Sequence, residues 1–207
     1  CFDFEWTNRT LMFNSFKRTA SFFENSDLKA SGPPSPEELV LLEPWRGKVP
    51  EEVFGEPWDP PTSDGTGQDR NRLREALRLM TEAGFQFQNG VMRDTKGQPF
   101  TIEFLDDDGG LERHTGGYIA ILKRLGIEAT FRLVDAAQYE SRLNDFDFDM
   151  TVRRYSLGLN PGGSEVENWT SRAADVKGSY NLAGIKDPAI DALAEAVKAA
   201  KTRAELV

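Results

Sequence analysis

The chain has 207 residues, of which 39% are hydrophobic and 29% charged, and its formal net charge at pH 7 is -9. This acidic balance argues against nucleic acid as a partner, because phosphate binding needs clustered lysines and arginines. One Cys and one His exclude an internal disulfide and argue against a zinc site, so we expect neither a metal nor a cofactor. No apolar run approaches the roughly 18 residues that a membrane helix needs.

The first 67 residues are irregular and rich in proline. The pattern of residues 3–16 predicts a short helix, and Ser35 before Pro36 predicts the start of a second one. We expect residues 1–67 to pack on an α/β ligand-binding lobe formed by residues 68–207. The aromatic residues between Trp6 and Ser26 are expected to be buried against a sheet or another lobe.

Residues 69–99 contain a helix and a hairpin. Apolar residues at helical spacing after Asp69 predict a helix that ends at Gly84. Residues 85–93 look like strands, and Asn89-Gly90 is a hairpin-turn dipeptide between them.

Residues 100–155 alternate between strand and helix patterns. Three runs, 100–105, 127–134 and 148–155, have apolar residues at every second position, and the segments between them have helical spacing. The pattern predicts a β-α-β-α-β unit. Open α/β sheets bind ligands at the carboxyl ends of their strands, so we expect a ligand site in the loops that follow these strands.

Residues 156–185 form a long loop rich in Gly, Ser and Asn, and Asp187-Pro188 begins the last predicted helix. The chain begins with Cys1 and ends within a helical pattern. We interpret Cys1 as the edge of a fragment and not as a lipid-anchor cysteine.

Several short motifs occur in a familiar order. They are residues 82–85 (EAGF), 97–99 (GQP), 122–127 (LKRLGI) and 146–150 (FDFDM). In this order they resemble the family 5 extracellular solute-binding proteins, the dipeptide, oligopeptide and nickel receptors of ABC importers. Residues 2–6 (FDFEW) and 18–26 (RTASFFENS) resemble the oligopeptide and microcin C-type branch of that family.

The resemblance implies an α/β fold, a lobe of the type II periplasmic-binding-protein kind with a mixed β-sheet flanked by helices. It further implies that the chain is mainly the second lobe of a two-lobed periplasmic receptor, monomeric when full length. Such a receptor closes about a hinge on a peptide or peptide-like ligand and delivers it to an ABC permease in the inner membrane. No catalysis is expected.

The loop after residue 152 is the predicted ligand site. Arginine can hold a carboxylate through two hydrogen bonds, and tyrosine and tryptophan offer flat apolar walls. Long loops in compact domains often carry function. The candidate ligand-binding residues are Arg153, Arg154, Tyr155, Asn160, Trp169, Ser171 and Asn181.

Other interpretations remain open. A solvated connector would explain the same loop, with Trp169 filling the core. A carboxylate-dependent hydrolase or lyase could use a pair drawn from Asp106, Asp107, Asp108 and Glu165, provided that their pKa values differ within one cleft. A structural domain without a ligand is the third alternative.

Overall fold

A computed structural model describes residues 2–207, so Cys1 and its interpretation as a fragment edge lie outside the described residues. The chain forms two compact units. The first comprises the residues up to Arg18, Pro61–Leu143 and Asp147–Arg153, and the second comprises Thr19–Pro60, Asn144–Phe146 and Arg154–Val207. These units divide the chain differently from the predicted boundary after residue 67, and that boundary stays a prediction.

Twelve helices and strands are present in residues 2–207, together with short 3₁₀ turns. In chain order they are α1 (Phe4–Leu11), α2 (Pro36–Leu42), α3 (Arg70–Glu82), β1 (Gln86–Gln88), β2 (Val91–Arg93), β3 (Thr101–Asp106), α4 (Glu112–Arg124), β4 (Glu128–Leu133), α5 (Ala136–Asn144), α6 (Gly163–Val166), α7 (Pro188–Ala199) and α8 (Arg203–Leu206). Within this described part of the chain, no helix has the length and apolar character that a membrane span requires.

The first unit contains two small sheets. Strands β1 and β2 form the predicted antiparallel hairpin, with both Asn89 (φ 51°) and Gly90 (φ 82°) in the left-handed region that its tight turn requires. Strands β3 and β4 are parallel, from the pair Thr101 and Glu128 to the pair Asp106 and Leu133. Helix α4 connects β3 to β4, as the alternating pattern predicts.

The core of the first unit lies between these sheets and their helices. Its buried members are Met92, Phe104, Leu122, Leu125, Ile127 and Ala129. Apolar residues on one face of α3, including Leu73 and Met80, pack against this cluster. The helical stripe and the alternating strands therefore bury their apolar faces in one core.

The third predicted strand, residues 148–155, is not formed. Only Met150 pairs with β3, where its N–H donates to Glu103 O (3.1 Å) and its carbonyl accepts from Leu105 N (2.8 Å). The hydroxyl of the next residue, Thr151, donates to Leu105 O (3.1 Å), the oxygen that would accept from the backbone N–H of Val152 if the parallel ladder continued. A side chain thus takes the acceptor at this position, and the ladder ends after a single bridge.

The second unit is built from short helices. Ser35 caps α2 with the reciprocal pair of hydrogen bonds to Glu38 that defines a capping box. Asp187 caps α7 as predicted, and its carboxylate accepts from the backbone N–H of Ala189 (2.7 Å). The predicted loop 156–185 is less irregular than expected, since it contains α6 and the 3₁₀ turn Glu167–Trp169.

Candidate functional site

Three aromatic rings form a cluster in the second unit. The Tyr155 and Trp169 ring centroids are 5.3 Å apart, and Phe22 approaches Trp169 at 4.9 Å and Tyr155 at 6.3 Å. The Tyr155 hydroxyl donates to the Tyr180 carbonyl oxygen (2.9 Å), which fixes the orientation of its ring. The predicted residues Tyr155 and Trp169 are therefore in contact, and Phe22 joins them.

The two predicted arginines have different surroundings. Arg154 belongs to the second unit, and its exposed side chain makes no hydrogen bond or ion pair with any of residues 2–207. Arg153 belongs to the first unit and forms an ion pair with Glu140 of α5 (3.2 Å). Arg154 is thus available to an anionic ligand, whereas Arg153 already has a carboxylate partner.

Asn160 lies on the exposed loop and is held by Arg203 of α8. The Arg203 guanidinium donates to Asn160 Oδ1 (2.9 Å) and to the Leu159 carbonyl, and it forms an ion pair with Asp27. The hydrogen bond from Arg203 lowers the pKa of the Asp27 carboxyl, and the same contact raises the pKa of Arg203. These groups stay charged at neutral pH and tie the loop to two other segments of its unit.

Ser171 and Asn181 stabilise the loop through hydrogen bonds to other parts of its unit. The Ser171 backbone N–H donates to the Asp191 carboxylate of α7 (2.7 Å). The Asn181 side chain is buried, and its amide group forms hydrogen bonds with the backbone of Thr170 and Ile185. These hydrogen bonds stabilise the loop, and a direct role for either residue in ligand binding stays a prediction.

Glu165 does not have the surroundings of a catalytic acid. Its two carboxylate oxygens accept hydrogen bonds from the backbone N–H groups of Gly158 (2.9 Å) and Gly162 (2.6 Å). These bonds lower the pKa of Glu165, the larger effect coming from Gly158. A general acid needs a raised pKa, so the electrostatics oppose the role that the hydrolase or lyase alternative requires.

The rest of the structure offers a cavity but, within residues 2–207, no metal-binding group. No group of three or more His, Cys, Asp or Glu residues that could hold a metal ion occurs within residues 2–207. The first unit contains a cavity of about 400 Å³ lined in part by Arg72, Phe104 and Tyr118. None of the predicted ligand-binding residues lines this cavity.

Sequence reasoning missed Phe22 and Arg203 as parts of the site. Both are far along the chain from the residues that they contact. No motif marks Arg203, and the motif at residues 18–26 that contains Phe22 indicates the family but no role for that side chain. A further signal for Phe22 was the density of aromatic residues between Trp6 and Ser26, which we expected to be buried against a sheet or another lobe. Within residues 2–207, Phe22 is 67% exposed, and Phe13 and Phe16 are also exposed. Burial of these rings against another lobe stays a prediction.

Comparison with known proteins places the chain in a family. Residues 1–176 match the bacterial extracellular solute-binding proteins, family 5 Middle. The chain belongs to this family. It is a family of binding proteins and not of enzymes, so the hydrolase or lyase alternative is set aside.

Two relatives from Agrobacterium fabrum illustrate the similarity. The chain is 44% identical over 207 residues to the probable peptide-binding protein YejA, covering 100% of this chain and 34% of that protein. It is 38% identical over 201 residues to the peptidoglycan-binding protein YepA, covering 97% of this chain and 33% of that protein. The family 5 chain thus spans about a third of the length of these curated relatives.

A solved structure confirms the predicted fold class. NikA from Brucella suis in complex with Fe(III)-EDTA matches with a TM-score of 0.63 and 15% sequence identity, over 99% of this chain and 35% of that chain. The fold is α/β, part of a periplasmic-binding-protein type II fold. At this identity the likeness concerns the fold alone.

Proposed function

We propose that this chain is part of the substrate-binding component of an ABC importer and that the complete receptor binds peptides or peptide-like solutes. The observation that carries the proposal is the contact between the Tyr155 and Trp169 rings, next to the exposed Arg154. Arg154 has no hydrogen-bond or ion-pair partner among residues 2–207. A guanidinium can hold a ligand carboxylate, and aromatic rings accept side chains of varied shape. The similarity to a probable peptide-binding protein supports the same ligand class.

The mechanism that we propose requires no covalent chemistry. The ligand binds between two lobes of the complete receptor, and closure about a hinge stabilises the bound state. The closed receptor then delivers its ligand to a permease in the inner membrane. We therefore propose a periplasmic location for the receptor, which the extracellular character of the family supports.

The proposal is tested by native mass spectrometry of the full-length receptor purified from its own host. A co-purified ligand with the mass of a peptide supports the proposal and identifies the ligand class. A peptide that carries amino sugars would narrow the class to peptidoglycan fragments, which the similarity to YepA makes a specific candidate.

The contradicting result is equally specific. A co-purified sugar or metal chelate without a peptide would replace the peptide assignment. If the receptor is purified without ligand, calorimetric titration with a series of tripeptides shows whether it binds peptides. The absence of any binding would contradict a peptide ligand.

A further inference from the structure

Phe22 is an aromatic side chain that residues 2–207 leave largely open to solvent, while its neighbours are held in place. It is 67% exposed, although its ring contacts Trp169 at 4.9 Å with an interplanar angle of 52°. It meets Tyr155 edge to face at 6.3 Å and 85°. A large hydrocarbon surface facing water is unfavourable unless something else covers it.

The backbone on both sides of Phe22 is fixed by local hydrogen bonds. The Ala20 N–H donates to Glu24 Oε2 (3.2 Å), and the Phe23 N–H donates to Ser21 Oγ (3.0 Å). The Ser26 hydroxyl donates in turn to the Phe23 carbonyl (2.8 Å). This series of turns holds Phe22 against the other two rings, so that its position does not depend on a ligand.

The two rings that contact Phe22, those of Tyr155 and Trp169, are themselves held in position. Tyr155 is anchored through its hydroxyl to the Tyr180 carbonyl. Trp169 ends the 3₁₀ turn Glu167–Trp169 and is half-buried. Two anchored rings and one exposed ring make a preorganised apolar surface, and preorganisation reduces the entropy lost on binding.

We propose that Phe22 is a specificity-determining residue: with Tyr155 and Trp169 it forms the wall of a pocket that receives an apolar side chain of a peptide ligand. The exposed atoms of Phe22 are carbon and hydrogen, which cannot form strong hydrogen bonds and which favour an apolar group. This inference rests on the proposed function, since it assigns the selectivity of the same site. It adds Phe22 to the two aromatic residues, Tyr155 and Trp169, that the sequence predicted for this site.

The test uses the full-length receptor and isothermal titration calorimetry. The probes are trialanine, its three variants with a single phenylalanine, and Ala-Lys-Ala. The quantity compared is the ratio of the Kd for trialanine to the Kd for each substituted peptide. The proteins are the wild type, Phe22→Ala, and the control Phe16→Ala, which alters another exposed phenylalanine (60% exposed).

The wild type should prefer at least one of the phenylalanine peptides. In Phe22→Ala that preference should fall about five- to twentyfold, because one aromatic wall is lost. The Kd for trialanine should stay close to the wild-type value, and Phe16→Ala should keep the preference. Phe22→Tyr, which retains the ring, should restore it.

Three results would overturn the inference while peptide binding survives. They are an unchanged preference in Phe22→Ala, an equal loss of affinity for every peptide, and a preference for Ala-Lys-Ala that Phe22→Ala removes. The last would mean that the rings hold a cation. A wild-type receptor that binds none of these peptides would contradict the proposed function itself, which separates the two failures.

Discussion

The side-chain amide of Asn181 donates a hydrogen bond to the carbonyl oxygen of Thr170 over 2.9 Å. The same amide nitrogen donates to the Ile185 carbonyl, and Asn181 Oδ1 accepts from the Ile185 N–H, each over 2.9 Å. Only 1% of Asn181 is exposed. One buried side chain thus replaces the regular backbone pairing that this loop lacks, and it holds the segment that follows Trp169.

Replacement of Asn181 by alanine should lower the melting temperature of the full-length protein by several degrees. The change removes the partners that Asn181 gives to the N–H and carbonyl of the partly buried Ile185, whereas the Thr170 carbonyl keeps its hydrogen bond from the Ala173 N–H (3.1 Å). An unsatisfied buried polar group costs about 1–3 kcal/mol, and a partly buried one costs less. Thermal unfolding followed by circular dichroism measures the loss. Asn71→Ala, on the exposed face of α3, is the matched control and should melt near the wild type. Equal melting of Asn181→Ala and the wild type would show that the amide does not stabilise the loop.

Arg154→Ala should weaken binding of trialanine to the full-length receptor more than binding of trialanine amide. A hydrogen bond to a charged group contributes about 1.5–3 kcal/mol, so loss of the guanidinium should cost tenfold or more for the free carboxylate. Arg153→Ala is the matched comparison, with a smaller effect because Arg153 pairs with Glu140. Calorimetric Kd values for both peptides measure this difference. An equal loss of affinity for the two peptides would exclude carboxylate recognition by Arg154.

The stabilising effect of Glu167 should depend on pH. Hydrogen bonds from Arg172 and then Lys198 lower the pKa of Glu167 from 4.5 to about 2. Because the folded-state pKa is depressed, the stabilisation is fully present above about pH 4.5 and is lost as the pH falls towards 2. The melting temperature of Glu167→Gln should therefore lie below that of the wild type at pH 7, with a difference that shrinks as the pH falls from about 4.5 towards 2. The effect should be small because the group is solvent-exposed, and a difference that grows in acid would contradict the assignment.

Gly126→Ala should destabilise the first unit more than Gly90→Ala. Both glycines have positive φ, but a Cβ at Gly126 would lie 2.6 Å from the Phe87 ring and 2.7 Å from the Met92 nitrogen. At Gly90 nothing lies within 4 Å of the added carbon. Gly90→Ala should therefore cost only the left-handed backbone penalty, about 1–2 kcal/mol. The clash at Gly126 should add to that penalty, and similar melting temperatures of the two variants would argue against it.

Local elements of this chain could be predicted because their signals are local. The apolar stripe after Asp69, the Asn89-Gly90 turn and the cap at Asp187 each act within a few residues, and α3, the hairpin and α7 follow from them. The third strand was wrong for a different reason. Its alternating pattern is correct, but Thr151 occupies the Leu105 carbonyl with its side chain, and only the tertiary structure could show that competition.

The sequence by itself determined the family, the parallel pair around α4 and the loop in which Tyr155 and Trp169 lie. These follow from periodicity, turn residues and the order of short motifs, all of which are carried by neighbouring residues. The tertiary structure alone decided that Phe22 joins the two rings and that Asn181 is buried. It also decided that Arg153 pairs with Glu140, whereas Arg154 has no partner in the described part of the chain. Contacts between distant residues depend on how the chain closes its loops, and no local pattern encodes that closure.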